Sequence, residues 1–238
     1  MTTVILFVFG AIVGSFLNVV GIRFRSGLHL GGRSACASCA KQLEWWELLP
    51  IISFFLIRGR CSACKTKVSW QYPLIELWTG LLFATLPIFY WPIFCVYTVI
   101  LIYDFRHKII PDSLVYTSIV LAVCTRYLFF ASTLSDWLVG PILCLLFALG
   151  WLVSRGRALG LGDAKLALSL GLLLGLANGL SAIALAFWIG AGLTLPFVLF
   201  GAKRITMKME IPFAPFLIFG AWLSLLINAD FFHVLSLT

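Results

Sequence analysis

The chain has 238 residues, of which 62% are hydrophobic and 11% are charged, and its formal net charge is +8 at pH 7. Soluble domains are about half apolar and a quarter charged, so this composition excludes an ordinary soluble protein and predicts an integral membrane protein. The positive charge does not indicate a nucleic acid partner, because no basic helix or aromatic-basic motif accompanies it. We therefore expect membrane lipids around the chain and no nucleic acid.

Apolar runs along the chain predict about eight transmembrane helices, since roughly 20 mainly apolar residues are needed to cross a bilayer. The first run is expected to be a retained helix, because it lacks the basic segment and the small-residue cleavage site of a signal peptide. The third run is short, and the sixth and seventh are nearly continuous, so seven or nine spans are the alternatives. The predicted spans cover residues 2–22, 73–89, 92–105, 113–131, 136–154, 164–180, 182–201 and 212–229.

Basic residues fall into four clusters between these runs, and eight spans would place all four clusters on one side of the membrane. Because Lys and Arg accumulate on the cytoplasmic side, this arrangement predicts that both termini lie outside the cytoplasm. Arg126 is the one exception. The clusters are the segment 23–72, then Arg106 with Lys108, then Arg155, Arg157 and Lys165, and finally Lys203, Arg204 and Lys208.

The predicted fold class is all-α, a polytopic membrane helix bundle that carries one small cytoplasmic insert. We divide the chain into a first transmembrane helix (1–22), the insert (23–72) and a transmembrane bundle (73–238). The insert also contains an apolar stretch, residues 45–57, which could re-enter the membrane or lie on its surface. The sequence leaves that choice open.

Four of the seven cysteines form two Cys-x-x-Cys pairs in the insert, Cys36 with Cys39 and Cys61 with Cys64. Two such pairs at a spacing near that of zinc ribbons predict four thiolates around one structural zinc ion. The alternatives are two disulfides or free thiols, and a cytoplasmic location argues against stable disulfides. Four sulfur ligands leave no open position, so this zinc would hold the insert together rather than activate water.

Asp163 follows two glycines, Gly160 and Gly162, at the start of a long apolar run, and Asp104 ends another predicted span at the same expected depth. An ionisable side chain at the membrane is costly, which makes both residues candidates for a functional site. Two carboxylates in a low-dielectric site cannot both ionise, so they would share a proton and could hydrolyse a peptide bond without a metal. The alternative for Asp104 is an interfacial ion pair with Arg106 or Lys108.

Two further carboxylates, Asp112 and Glu76, could support such a site. Asp112 opens a predicted helix after a proline, where a carboxylate satisfies free N–H groups and needs no catalytic role. Glu76 lies early in the second predicted span, where it could support the site or pair with a basic residue at the interface. The three histidines have no partners at metal-ligand spacing.

Several segments together resemble the type IV prepilin peptidases, the bifunctional leader peptidase and N-methyltransferase enzymes of bacterial inner membranes. The match extends in order over nearly the whole chain. One position departs from some members, which carry a second Asp two residues after the first, where this chain has Arg106. The matching segments are 14–20 with Arg23, both cysteine pairs, 58–61, 72–76, 104–112 and 160–165.

The resemblance implies that Asp104 and Asp163 are the catalytic pair of a Gly-x-Gly-Asp aspartyl protease facing the cytoplasm. It also implies that the substrates are prepilins or pseudopilins with a short basic leader, as in type IV pilus and type II secretion systems. The new N-terminal amine, usually of Phe, would be methylated from S-adenosylmethionine. No Rossmann glycine signature is present, so methylation rests on the resemblance alone and has no assigned residues.

Three other interpretations compete with this one. A proton- or cation-coupled transporter with a structural zinc insert would place carboxylates near the membrane midplane and would show inverted repeats. A membrane scaffold would use the cysteine module for protein contacts and would not explain the two aspartates. A preflagellin-type peptidase would share the aspartates but would generally lack the cysteine insert and methylation.

Overall fold

The computed structural model describes residues 1–25, 31–36, 38–156, 159–200 and 212–228, with only the backbone described for 195–200. Four of the basic residues used to predict the orientation, Arg157, Lys203, Arg204 and Lys208, lie outside the described residues. The chain forms two compact units, Met1–Ile102 and Tyr103–Thr238.

The described residues form helices and no β-strand, with two isolated β-bridges in the insert, which confirms the all-α class. Within the described part of the chain, five helices are long and apolar enough to cross a membrane. Helices occur in all the predicted spans, but a count of eight crossings is not confirmed, because several of the helices are short. The helices are α1 (Thr2–Arg23), α2 (Ile52–Leu56), α3 (Gln71–Thr85), α4 (Trp91–His107), α5 (Asp112–Phe129), α6 (Leu134–Ser154), α7 (Leu161–Phe200) and α8 (Ala214–Ile227).

In the first unit, α3 packs along α1 through two glycines of α1 one turn apart. A Cβ on Gly10 would lie 2.7 Å from the Cβ of Phe83, and a Cβ on Gly14 would lie 3.1 Å from the Cα of Glu76. Small residues four apart let two helix backbones approach closely, which is the main source of helix association in lipid. In the second unit, glycines also let α6 and α7 pack closely. A Cβ on Gly171 would lie 2.7 Å from the Cα of Gly140.

Helix α7 combines the sixth and seventh predicted spans in 40 residues and is broken inside, at Gly175. The predicted boundary between residues 180 and 182 is therefore wrong: that region is apolar and contains nothing that stops a helix. Gly175 has φ 71° and ψ −166°, a backbone conformation that is essentially restricted to glycine. Two backbone groups beside the break, the Leu173 carbonyl and the Leu176 N–H, bind side chains of the neighbouring helices.

An ion pair from the two neighbouring helices satisfies these backbone groups. Arg126 of α5 donates to the Leu173 carbonyl at 3.4 Å, and Asp136 of α6 accepts from the Leu176 N–H at 3.0 Å. The two side chains bind each other at 2.9 Å, and Arg126 is only 7% exposed. Arg126, the exception to the predicted charge distribution, is thus neutralised inside the protein.

Replacing Gly175 with alanine should destabilise the protein, because a Cβ there would clash with the Arg126 guanidinium and the φ angle would be strained. We expect a loss of about 1–3 kcal/mol, which lowers the thermal unfolding temperature by several degrees in detergent. Gly192→Ala is the matched control in the same helix, because the added methyl would meet no described atom within 4 Å beyond its chain neighbours and the helix's own backbone. Equal unfolding temperatures for the two variants would contradict this role of Gly175.

Candidate active site and cysteine cluster

Asp104 lies in the last turn of α4, where the apolar helix gives way to a polar turn. Its side chain is buried, with 4% exposure. Lys108 adopts a left-handed conformation (φ 53°) and its N–H closes the helix on the Asp104 carbonyl at 2.8 Å. The chain then reaches Pro111, which caps the start of α5. The helix end therefore fixes the backbone of Asp104 while its carboxyl group points inward.

Asp163 lies in the first turn of α7, which begins at Leu161, between the two glycines. The Gly160 N–H donates to its Oδ2 at 3.1 Å, and the Asp163 N–H donates to the Gly160 carbonyl at 3.2 Å. An acid at the third helical position that accepts from the N–H before the helix is half of a capping box. Asp163 therefore stabilises the start of this helix through one carboxyl oxygen, and its second carboxyl oxygen takes no part in that contact.

Gly162 packs against Ile110 in the turn between α4 and α5. A Cβ on Gly162 would lie 3.0 Å from the Cβ of Ile110, closer than ordinary packing allows. The absence of a side chain at Gly162 thus lets the start of α7 approach the turn that follows Asp104. This is the physical reason for a small residue immediately before Asp163.

Asp104 and Asp163 both lie in the second unit, close enough for their carboxylate charges to interact. The backbone N–H of Ala214, the first residue of α8, lies near the Asp104 carboxylate, so a helix N-terminus with its partial positive charge faces Asp104. Oδ2 of Asp104 is buried and has no hydrogen-bond partner among the described residues. An unpartnered buried carboxyl oxygen is costly and needs a proton, a water molecule or a substrate group.

Asp112 is the first residue of α5, as the sequence suggested, and it also contacts α7. The Lys165 ammonium binds its Oδ1 at 2.6 Å and lies 5.6 Å from the centre of the Tyr116 ring. With side-chain exposures of 60% for Asp112 and 35% for Lys165, this pair contributes little stability. It ties the first turn of α7 to the start of α5, two residues beyond Asp163.

The four paired cysteines converge in the insert, with their sulfur atoms all within 4.8 Å of one another. The Cys36–Cys64 and Cys39–Cys61 sulfur pairs are 3.8 Å and 4.0 Å apart, too far for disulfides. A tetrahedral ion with metal–sulfur bonds of about 2.3 Å would hold its ligands about 3.8 Å apart. The cluster therefore fits one metal ion bound by four thiolates.

The two cysteine pairs have the same backbone geometry. Each lies between two residues joined by an antiparallel bridge, Ala35 with Gln42 and Arg60 with Lys67. The residue after the second cysteine is left-handed in both, Ala40 with φ 55° and Lys65 with φ 59°. Two copies of one tight turn thus present their sulfur atoms to a common centre.

A buried glutamate, Glu47, fastens the second turn to the polypeptide between the pairs. It accepts hydrogen bonds from the Ser62 hydroxyl and the Glu44 N–H and forms an ion pair with Lys41 at 3.4 Å. The Ser62 and Glu44 donors, together with Lys41, hold the pKa of Glu47 below its ordinary value. Glu47 therefore positions Ser62, which lies between Cys61 and Cys64.

Glu76 lies in the first unit, in α3, and is 7% exposed. Its Oε2 accepts the N–H of Ile51 at 2.7 Å, and Ser15 of α1 hydrogen-bonds to the same carboxylate. Ile51 has φ 63°, an unfavourable conformation for a β-branched residue. Glu76 thus connects the insert to the membrane helices. It forms no ion pair among the described residues, and its support of the aspartate site stays a prediction.

Sequence reasoning missed three contacts of buried polar side chains. They are the Ala214 N–H beside Asp104, the Ile51 N–H on Glu76, and the Arg126–Asp136 ion pair. The first two donors are backbone groups, which leave no signature in the side-chain pattern. The Arg126–Asp136 pair did leave a signal in the sequence. Arg126 is the one basic residue outside the predicted cytoplasmic clusters, and Asp136 begins the next predicted span. An acid near an isolated membrane cation should have been considered as its partner.

Glu76→Ala should loosen the insert around α2, because it leaves the Ile51 N–H without an acceptor beside a strained backbone. We expect local stability to fall by about 1–3 kcal/mol, seen as faster hydrogen exchange of the amides of residues 50–57. Glu76→Gln is the control, since its side-chain oxygen can still accept. Adding Ile51→Gly to the alanine variant should restore part of the protection by relieving the strain. Unchanged exchange in Glu76→Ala would refute this role.

Comparison with known proteins identifies two adjoining family matches. Residues 8–90 match the bacterial peptidase A24 N-terminal domain, and residues 91–195 match the type IV leader peptidase family. No solved structure matches the chain.

Curated relatives include three that are called prepilin leader peptidase/N-methyltransferase. The Bacillus subtilis protein is 32% identical, over 93% of this chain and 93% of its own length. The Stutzerimonas stutzeri protein is 31% identical, over 92% of this chain and 88% of its own. The Myxococcus xanthus protein is 35% identical over 71% of this chain, and the alignment spans 55% of its length. By its domains and its relatives, this chain belongs to the type IV leader peptidase family.

Proposed function

We propose that this chain is an intramembrane aspartyl endopeptidase that removes the basic leader from type IV prepilins or pseudopilins. The observation that carries the proposal is the meeting of Asp104 and Asp163 at two helix ends, with one buried carboxyl oxygen left unpartnered. The family and the names of the relatives support this reaction. A transporter is not supported, because both aspartates lie in terminal helical turns rather than in mid-helix.

The two carboxyl groups would share one proton and act as base and acid in turn. The ionised group removes a proton from water as the water oxygen bonds to the scissile carbonyl carbon, and the protonated group gives its proton to the carbonyl oxygen. Collapse of the tetrahedral intermediate breaks the C–N bond. One hydroxyl proton of the intermediate returns to the second group, and the first group protonates the leaving amine, so the pair ends as it began.

The helix ends would supply the positioning for this reaction. Gly162 lets the start of α7 lie close to the turn that follows Asp104, and the Gly160 N–H orients the Asp163 carboxylate. The Ala214 N–H orients Asp104. Asp112 would act indirectly by holding Lys165 and so the first turn of α7. None of these groups would exchange protons with the substrate.

The proposed location is the bacterial inner membrane, with the aspartates at the cytoplasmic face and both termini on the other side. The basic clusters support this orientation through the positive-inside rule. A prepilin would then keep its charged leader in the cytoplasm and its apolar helix in the bilayer. The scissile bond between these two parts would lie at the depth of the helix ends that carry Asp104 and Asp163.

Asp104→Asn and Asp163→Asn should each abolish leader removal, because an amide cannot replace either partner in the shared proton. We expect losses of about a hundredfold or more, measured as the mass of a co-expressed prepilin with a basic leader. Asp112→Asn is the matched control, an exposed aspartate whose loss should leave most of the cleavage. Cleavage by either of the first two variants at the wild-type rate would overturn the catalytic assignment.

We also propose that the chain methylates the new N-terminal residue, usually Phe, with S-adenosylmethionine as the methyl donor. The support is the shared name of the relatives, which includes N-methyltransferase. In the same spectrum, the wild-type product should carry one additional methyl group. A processed but unmethylated pilin would restrict the proposal to cleavage.

The metal in the cysteine cluster is proposed to be zinc, with Cys36, Cys39, Cys61 and Cys64 as ligands. Four soft thiolates at tetrahedral spacing suit zinc, and with no position left for water the ion would hold the two turns together.

Cys61→Ser should remove most of the bound metal and loosen the insert, because serine is a poor zinc ligand. Elemental analysis of the purified protein measures the content and identity of the metal. Cys124→Ser is the matched control, since Cys124 is exposed on α5 and belongs to no cluster of the described cysteines. A full complement of metal in Cys61→Ser would disprove the ligand set.

A further inference from the structure

The insert contains a cavity of about 690 Å³ in which cations and aromatic rings face one space. Arg58, Arg60 and Lys67 supply the charge, and Phe54, Phe55 and Trp70 supply the aromatic surface. The cavity lies entirely within the first unit and contains neither the aspartates nor the cysteine ligands. Neither the proposed cleavage site nor the proposed metal site uses this cavity.

The three cations are exposed and line the same cavity. Arg60 and Lys67 are cross-strand neighbours in an isolated bridge, and like charges in that position are destabilising. Arg58 reaches the cavity from a turn in which Arg58 and Gly59 are both left-handed, with φ 52° and 63°. Strain at a non-glycine residue is typical of ligand clamps. The turn is closed by a hydrogen bond from the Arg60 N–H to the Ile57 carbonyl at 3.1 Å.

No carboxylate among the described residues forms an ion pair with any of the three cations. The described ion pairs join Lys41 to Glu47, Arg126 to Asp136 and Lys165 to Asp112. The buried glutamate of the insert, Glu47, is therefore already occupied. The charge of the cavity is left for an external anion, and two guanidinium groups with an ammonium suit a phosphate.

The position of the cavity in the chain places it at the membrane surface. Trp70 lines the cavity and immediately precedes α3, which packs along the membrane-spanning α1. Phe55 and Trp70 are each 60% exposed, and Ile52 and Leu56 on the same short helix are equally accessible. At five residues, α2 is too short to cross a membrane, but its apolar side chains suit the interface between headgroups and acyl chains.

We propose that this cavity binds the phosphate headgroup of an anionic phospholipid, with α2 lying at the interface beside the acyl chains. The positive charge excludes the basic leader of a prepilin and disfavours a cationic sulfonium cofactor. A clustered set of cations next to a transmembrane helix is the usual recognition pattern for anionic lipids. The lipid would anchor the insert to the membrane through both its charge and its apolar side chains.

The test uses the purified full-length protein in detergent and counts bound lipid by native mass spectrometry. Phosphatidylglycerol and phosphatidylcholine are compared on wild type and on Arg58→Gln/Arg60→Gln/Lys67→Gln. The control Arg25→Gln/Arg33→Gln/Arg155→Gln removes the same charge from exposed positions outside the cavity. We expect phosphatidylglycerol to bind wild type and control equally and the cavity variant at least about tenfold more weakly. Phosphatidylcholine should bind none of them appreciably.

Three outcomes would overturn the proposal. Equal weakening by both triple variants would mean that general surface charge attracts the lipid, and undiminished binding by the cavity variant would exclude the site. Inorganic phosphate that binds without lipid and displaces phosphatidylglycerol would assign the cavity to a soluble anion. None of these outcomes depends on prepilin cleavage, so the proposed function and the lipid site can fail separately.

A measurement on wild type alone covers the case in which the cavity variant does not fold. Phosphatidylglycerol, but not phosphatidylcholine, should slow hydrogen exchange of the backbone amides of residues 57–68, which form the cationic side of the cavity. The amides of residues 38–42, beside the first cysteine pair, serve as the internal reference and should not change. Absence of slowing at residues 57–68 would reject the site.

Discussion

A polar group buried in a membrane protein must find its partner within the protein, and the structure is organised around meeting this requirement in three places. At Gly175 the broken helix is satisfied by the Arg126–Asp136 pair. At Ile51 a strained backbone N–H is satisfied by Glu76. At Asp104 the requirement is met only in part, because one buried carboxyl oxygen has no partner among the described residues. Catalysis is proposed at Asp104, where the requirement is met only in part. A carboxyl oxygen that already has its hydrogen-bond partners could not bind a substrate group.

Glycine has opposite consequences at the start of α7 and in its interior. Gly162 allows a close approach to Ile110 and so assembles a site, whereas Gly175 breaks the helix and requires an ion pair to repair it. Breaking a helix within a bilayer is tolerated only where other protein groups satisfy the freed backbone. A helix of 40 residues is longer than one straight crossing requires, at about 1.5 Å per residue. The break thus lets one continuous segment change direction inside the protein.

The sequence was sufficient to predict those features that depend on residue type and spacing. The all-α class follows from the apolar runs, and the convergence of Cys36, Cys39, Cys61 and Cys64 follows from the two cysteine pairs. Asp104 and Asp163 were paired by their expected depth, and the structure brings them into one site, while their catalytic role stays a proposal. The break at Gly175 was not predicted, because hydropathy shows where a chain is apolar and not where its backbone turns.

Contacts made by backbone groups were beyond sequence reasoning for a related reason. Every residue except proline carries the same N–H, so neither the donor at Ala214 nor that at Ile51 could be distinguished before the fold was known. The cationic cavity in the insert could be predicted only in part. Its arginines and lysine were counted as evidence of orientation, which explains why they lie on one side of the membrane but not why three of them line one cavity. All three are exposed, so water and salt screen their mutual repulsion. Their position around one cavity, with no ion-pair partner among the described residues, favours an external anion such as the proposed lipid headgroup.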